Sequence, residues 1–173
     1  MNAQAFEAAR RNYTRFAIES AARLAKEVGF SYDAVAIDPD LIHDDDIQRE
    51  FAECSRTRRP FRVWSGASDN TVFTCREGNW AFRFWHDVVS HAVGKLGFDM
   101  RDELTAGMQW VRKVSNEFGA KSLETAIAYA DTCGQTLYCA AKGEFPVDQI
   151  AFVSQYVAGV NIADIRATLE GVE

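Results

Sequence analysis

The segment Phe84–His91 holds the residues of this chain that are best suited to chemistry. It carries two of the three histidines in the sequence, His86 and His91, together with Asp87. A neutral imidazole is a common metal ligand, and an imidazole also transfers protons near pH 7. A histidine next to an aspartate in an otherwise apolar stretch therefore predicts either a metal site or a proton-transfer site.

Helical geometry limits how these side chains can share a ligand. At 100° per residue, His86 and His91 fall on opposite borders of a broad apolar arc, so a straight α-helix does not point both at one ion. Asp87 and His91 are four residues apart, and we expect them on the same side of the helix, sharing a ligand or a hydrogen bond.

Two further carboxylates are predicted at the level of this segment. A short link at residues 97–98 joins two predicted helices as an antiparallel αα-hairpin, which places Glu103 at the height of His91. Counting residues along a third predicted helix, we expect Asp131 to lie at the same level along the helix axes as His86. The predicted metal-binding residues are His86, Asp87, His91, Glu103 and Asp131.

The same residues also have a purely structural interpretation. Carboxylates orient buried histidines, and the imidazoles hydrogen-bond to the backbone and hold helices together. Glu103 lies in the first turn of its predicted helix, where the helix dipole favours a carboxylate. The sequence assigns no catalytic residue, and a divalent metal ion is the one cofactor that it suggests.

The order His43, His86-Asp87, Asp131 resembles the H…HD…D pattern of the HD-domain family. The resemblance covers these four residues and implies that they are metal ligands of a phosphohydrolase acting on a nucleotide or phosphoester. In such an enzyme the ion activates a water molecule and polarises a phosphoryl oxygen. Val88-Val89-Ser90 stands where family members often carry Gly-Lys.

The run Phe82–His91, followed by Leu96-Gly97-Phe98 and Glu103, resembles a segment of uncharacterised phage- and plasmid-borne proteins. This resemblance covers residues 80–110 and implies an accessory protein of a mobile element that acts by binding another protein. We expect that function, with the HD-type phosphohydrolase as the alternative. Aromatic side chains carry much of the energy of protein interfaces. The candidate anchors are Trp64, Trp80 and Trp110.

Composition narrows the class of protein. The 173 residues, 47% of them hydrophobic, fit a single domain over residues 1–173 with its own core. The net charge of -6 argues against nucleic acid or an acidic membrane as a partner. The four cysteines show no C-x-x-C spacing, and we find no export signal or membrane-length apolar run. We expect a cytoplasmic protein with a protein partner, and self-association into a homo-oligomer fits as well.

The hydrophobic pattern predicts a mainly α-helical, bundle-like domain. A β-hairpin is predicted near residues 61–75, where two apolar runs, Phe61–Trp64 and Thr71–Thr74, flank the turn-forming residues 66–70. Helices are predicted over residues 3–28, 46–55, 80–96, 99–118 and 121–141, from Pro146 to Ala158, and from Asn161 to Glu170.

Overall fold

Helices make up most of the computed structural model, which describes residues 2–39, 41 and 44–159. The predicted mainly α-helical fold is confirmed, and the helix predicted from Asn161 to Glu170 lies outside the described residues. None of the described helices has both the length and the apolar character that crossing a bilayer requires. The elements are α1 (Ala3–Val28), β1 (Tyr32–Val35), α2 (Asp44–Thr57), β2 (Phe61–Trp64), α3 (Arg76–His86) with a π-helical continuation (Asp87–Val93), α4 (Met100–Phe118), α5 (Leu123–Tyr129), a second π-helical segment (Ala130–Gly134), α6 (Gln135–Lys142) and α7 (Gln149–Gly159).

Capping residues set the ends of several helices. Helix α1 ends at Gly29, which has a φ of 78°, a left-handed conformation that glycine adopts without a Cβ clash. Helix α4 begins after Asp99, whose side chain accepts a hydrogen bond from the Asp102 amide at 2.9 Å. Ser122 caps α5 in the same way through the Thr125 amide at 3.1 Å. These three residue types are common at the ends of helices, so the sequence itself sets these boundaries.

The small sheet differs from the predicted hairpin. β2 is a strand, but it pairs in parallel with β1, with Tyr32 opposite Phe61. Residues 71–74 are irregular, so the second strand of the predicted hairpin was wrong. Parallel strands cannot be joined by a tight turn, and the chain crosses between them through α2. The alternation of β2 buries Phe61 and Val63 and leaves Trp64 partly exposed.

The core lies where α1 packs against α3 and α5, with α4 alongside. Tyr13, Phe84, Trp110 and Ile127 are all completely buried there. The Trp110 indole nitrogen donates a hydrogen bond to the Tyr13 hydroxyl at 2.8 Å. Because Trp110 is enclosed, its predicted role as an interface anchor was wrong. The packing fixes α3 and α4, which carry the candidate site residues.

Candidate metal centre

His86 and His91 lie on the same side of their helix because the chain leaves α-helical geometry between them. The segment Asp87–Val93 is π-helical. Hydrogen bonds in a π-helix join residues five positions apart, so residues i and i+5 lie above one another. The two Nε2 atoms are 2.9 Å apart. The expectation that these imidazoles diverge was wrong because it assumed 100° per residue throughout.

Glu103 brings a carboxylate to both imidazoles from the start of α4. Its Oε2 is 3.5 Å from His86 Nε2, and its Oε1 is 3.6 Å from His91 Nε2. Metal–ligand bonds of about 2.0–2.2 Å at angles of about 90–109° place donor atoms roughly 2.8–3.6 Å apart. The three separations in the cluster fall within that range, so each pair of these side chains is spaced as two ligands of one ion would be.

The surroundings of His91 fix the direction of its imidazole ring. Its side chain is completely buried, and its Nδ1 is 2.9 Å from the main-chain oxygen of Leu96. A carbonyl oxygen only accepts hydrogen bonds, so Nδ1 carries the proton and the Nε2 lone pair faces the cluster. The Phe98 ring stacks on the imidazole with centroids 4.3 Å apart and an interplanar angle of 11°. The orientation of His91 is therefore fixed before any ligand binds.

The short link after the π-helical segment holds the Leu96 oxygen in place. The Leu96 amide donates to the Ser90 oxygen at 3.1 Å, and the Gly97 amide donates to Asp102 Oδ2 at 2.7 Å. Gly94 has no room for a side chain, since a Cβ there would lie 2.5 Å from the Ser90 oxygen. The position of His91 thus depends on a tightly packed turn.

The charges in the cluster are coupled. Burial lowers the pKa of His86, but its contact with Glu103 outweighs burial, and the net shift is upward. Burial raises the pKa of Glu103, but the hydrogen bond from His86 and the charge of His86 bring it below its ordinary value. For Asp87, burial outweighs the neighbouring positive charges and raises the pKa. Glu103 is thus an anion that already favours a positive partner.

Three of the five predicted ligands come together. Within the described part of the chain, His86, His91 and Glu103 form the group whose ligand atoms all lie within 4.8 Å of one another. Asp87 lines the same cleft as His86 but is not a member of that group. His86 Nδ1 is buried and has no hydrogen-bond partner among the described residues, so His86 is less firmly oriented than His91.

Asp131 is held in a different set of contacts. The Tyr13 hydroxyl donates to its Oδ2 at 3.1 Å, and Gln135 Nε2 donates to its Oδ1 at 2.9 Å. His43, which the HD-domain resemblance also implies as a ligand, lies outside the described residues. The assembled donor set therefore differs from the one implied by that resemblance.

The cluster opens onto a cleft of about 620 Å³. His86, Asp87 and Glu103 contribute to its wall. Pockets that bind small molecules commonly measure roughly 300–1,000 Å³, so a molecule of that size can reach the cluster. Apolar side chains on the wall are Leu41, Trp64, Phe98, Met100 and Phe145.

Arg83 is a cleft residue that the sequence analysis missed. It precedes His86 by three residues, so helical spacing alone places both on one face of α3. Its guanidinium lies 5.3 Å from the centroid of the Trp64 ring. Its Nη1 donates to the main-chain oxygens of Trp64 and Gly66. Helical spacing could have identified Arg83, but the cleft itself depends on distant segments.

Comparison of the chain with protein-family models, with curated protein sequences and with solved structures finds no match. The geometry of the cleft is therefore the basis for assigning a function.

Proposed function

We propose that His86, His91 and Glu103 bind one divalent transition-metal ion and that the protein is a metal-dependent hydrolase of a small molecule. The main support for this proposal is His91. Its side chain is completely buried, and its Nδ1–H group donates a hydrogen bond to the Leu96 oxygen. Its Nε2 lone pair is thereby directed at the other two donors. Metal-binding histidines commonly have this arrangement, in which a backbone carbonyl fixes the tautomer of the ligand.

The donor set suits catalysis better than a purely structural role. Structural zinc sites use four protein ligands, whereas two imidazoles and one carboxylate leave positions open for water and substrate. An ion held by these three residues would activate a water molecule. Hydrolysis would then place the hydroxyl group of that water on the electrophilic centre of the substrate and its other proton on the leaving group.

Titration of metal-free protein with Zn²⁺ by calorimetry tests the proposal. We expect one ion per chain. The near-isosteric Glu103→Gln variant removes the charged donor, and we expect it to weaken Zn²⁺ binding by more than about 100-fold, beyond the effect of losing an outer-shell partner. Glu117→Gln changes an exposed residue of the same helix and should keep the affinity of the wild type.

Two results would contradict the metal centre. One is no Zn²⁺, Co²⁺ or Mn²⁺ uptake by the wild-type protein. The other is equal affinity in the wild type and a folded Glu103→Gln variant, with folding checked by circular dichroism. In either case the buried histidines would have only a structural role.

A second candidate function is protein binding, which the apolar rim of the cleft favours. Trp64, Met100 and Phe145 line the cleft and are 37%, 38% and 58% exposed. Exposed apolar side chains of this kind receive anchor residues of a partner. Sedimentation analysis tests whether the protein self-associates through the rim. Self-association is supported if the wild-type mass is a multiple of 19.4 kDa and the mass of the Phe145→Ser variant is that of one chain. A monomeric wild type contradicts it.

A further inference from the structure

Two glutamines from neighbouring helices hold the π-helical segment Asp87–Val93 at consecutive residues. Gln48 of α2 donates a hydrogen bond from its Nε2 to the main-chain oxygen of His91 at 2.8 Å. The hydroxyl of Ser90 donates to Oε1 of Gln109, on α4, at 3.0 Å. Ser90 and His91 are both completely buried, and α2 packs directly on the segment. The segment is therefore held from two helices, at a proposed metal ligand and at the residue before it.

The metal centre requires the wider turn of this segment. At about 100° per residue, a regular α-helix leaves residues five positions apart about 140° apart around its axis. In that form His91 would point away from His86, and their Nε2 atoms, which lie 2.9 Å apart, would separate. The π-helix is rare, whereas the α-helix is the usual form. Contacts from the surrounding fold are therefore needed to favour the wider turn.

The hydrogen bond from Gln48 does more than satisfy a buried carbonyl group. The main-chain oxygen of His91 already accepts a hydrogen bond from the Lys95 amide at 3.1 Å, so it would keep a donor without Gln48. A carbonyl oxygen has two lone pairs, and Gln48 uses the second one. The effect of this second bond is to fix the main chain of His91 relative to α2. The imidazole of the same residue is fixed separately, through the Leu96 oxygen.

We infer that Gln48 and Gln109 are positioning residues of the metal centre, which keep the segment Asp87–Val93 in the π-helical form that directs His91 at the ion. Gln48 acts through the main chain of His91, and Gln109 acts through the hydroxyl of Ser90. This inference rests on the proposed metal-dependent function and specifies which residues outside the ligand set determine its affinity for the ion.

Calorimetric titration of the Gln48→Met variant with Zn²⁺ tests the inference. Methionine has nearly the length of glutamine but no N–H donor, so the bond to the His91 oxygen is lost. Changes to the partners of metal ligands commonly weaken metal binding by about 10–100-fold, and we expect a loss of at least about tenfold. Ser90→Ala removes the bond to Gln109 and should also weaken Zn²⁺ binding. The visible absorption spectrum of bound Co²⁺ depends on the arrangement of its ligands and should change in both variants.

Gln135→Met is the matched control. The Nε2 of Gln135 also donates a hydrogen bond, at 2.9 Å, but its acceptor is Asp131, which is outside the metal-binding group. We expect this variant to unfold at a lower urea concentration and to keep the Zn²⁺ affinity and the Co²⁺ spectrum of the wild type. A loss of Zn²⁺ affinity as large as that of Gln48→Met would show that any destabilised variant binds metal poorly, and it would overturn the inference.

Separate results distinguish failure of this inference from failure of the metal centre. Wild-type Zn²⁺ affinity and an unchanged Co²⁺ spectrum in a folded Gln48→Met variant overturn the inference, while the metal centre still stands. Absence of Zn²⁺ uptake by the wild type overturns the proposed function and, with it, the inference. Urea unfolding identifies which variants are folded, and Ser90→Ala serves for the comparison if Gln48→Met is not.

Discussion

Glu50 is a buried carboxylate whose charge is neutralised by two arginines. Its side chain is 3% exposed, and Arg59 and Arg62 each place a nitrogen 2.8 Å from one of its oxygens. Burial raises the pKa of Glu50, but the hydrogen bonds from the arginines outweigh burial and lower it to about 2. The ionised carboxylate therefore contributes to stability at neutral pH, and it joins α2 to β2.

Replacing this carboxylate should destabilise the fold. We expect Glu50→Gln to lower the free energy of unfolding by about 2 kcal/mol at pH 7, because it leaves two arginines without their anion. Glu53→Gln breaks the exposed pair with Arg56 on the same helix and should cost less than about 0.5 kcal/mol. Urea denaturation of the two variants measures the difference.

The pH dependence of this effect has a definite sign. The pKa of Glu50 is about 2 in the folded protein against an ordinary 4.5, so its contribution is complete above pH 4.5 and is lost as the pH falls toward 2. The stability gap between wild type and Glu50→Gln should therefore narrow over that interval. A gap that stays constant would show that Glu50 does not carry a lowered pKa.

The π-helical segments are the elements that give this fold its unusual side-chain directions. Asp87–Val93 aligns His86 with His91. Ala130–Gly134 lies between α5 and α6 and packs closely on α4, where a Cβ at Gly107 would lie 2.9 Å from the Cys133 sulfur. A change next to the first segment should therefore alter the histidine–glutamate cluster without replacing a ligand.

Gly94→Ala tests the support of the first π-helical segment. Its Cβ would lie 2.5 Å from the Ser90 oxygen and 2.9 Å from the Val89 oxygen. Because both are backbone atoms, the turn must shift, and we expect a loss of about 1–3 kcal/mol in the free energy of unfolding together with weaker Zn²⁺ binding. Gly159→Ala, where a Cβ would have no atom of the described residues within 4 Å, should change neither quantity appreciably. Equal behaviour of the two variants would show that the turn is not constrained.

The local elements could be predicted from the sequence, and their pairing could not. Helix ends such as Gly29 and Asp99 depend on neighbouring residues and follow from residue type. The alternation that identifies Phe61–Trp64 as a strand says which face is buried, but not that its partner is Tyr32–Val35 rather than residues 71–74. That choice depends on how α2 packs, which is a property of the tertiary structure.

Only part of the candidate site could be predicted from the sequence, because the directions of its side chains also depend on the tertiary structure. Residue chemistry and counting along the chain identified His86, His91 and Glu103, whereas a helical wheel of fixed pitch could not show that the histidines converge. Asp131 was placed by height along a helix, which does not determine the direction in which the carboxylate points. Its contacts with Tyr13 and other residues form outside the metal-binding group.

At the scale of the whole molecule, a buried hydrogen-bonded chain joins distant helices. Trp110 of α4 donates to the hydroxyl of Tyr13 on α1, which donates to Asp131 between α5 and α6. Burial raises the pKa of Asp131 to about 7, against the opposing effect of the bond from Tyr13. The neutral form of this carboxyl is therefore favoured by folding.

Asp131→Asn should change how the stability of the whole protein depends on pH. Because the folded pKa is about 7 and the ordinary value 3.8, the stabilisation is complete below pH 3.8 and is lost as the pH rises through 7. Between pH 4 and pH 8 we expect the wild type to lose about 4 kcal/mol more than Asp131→Asn, on the scale of about 1.4 kcal/mol per pKa unit. Asp69→Asn, an exposed residue, should retain the wild-type dependence. Parallel urea-denaturation profiles for wild type and Asp131→Asn would exclude the raised pKa.

The three proposed metal ligands all lie within residues 86–103, whereas β1 and β2 pair only after the chain has crossed through α2. The entropy lost on closing a loop grows with its length, and contacts close in sequence form sooner than distant ones. The histidine–glutamate cluster is therefore expected to assemble early during folding. A bound ion would then stabilise a local helical hairpin before the parallel strands meet, so the site would help to direct the order in which the fold is built.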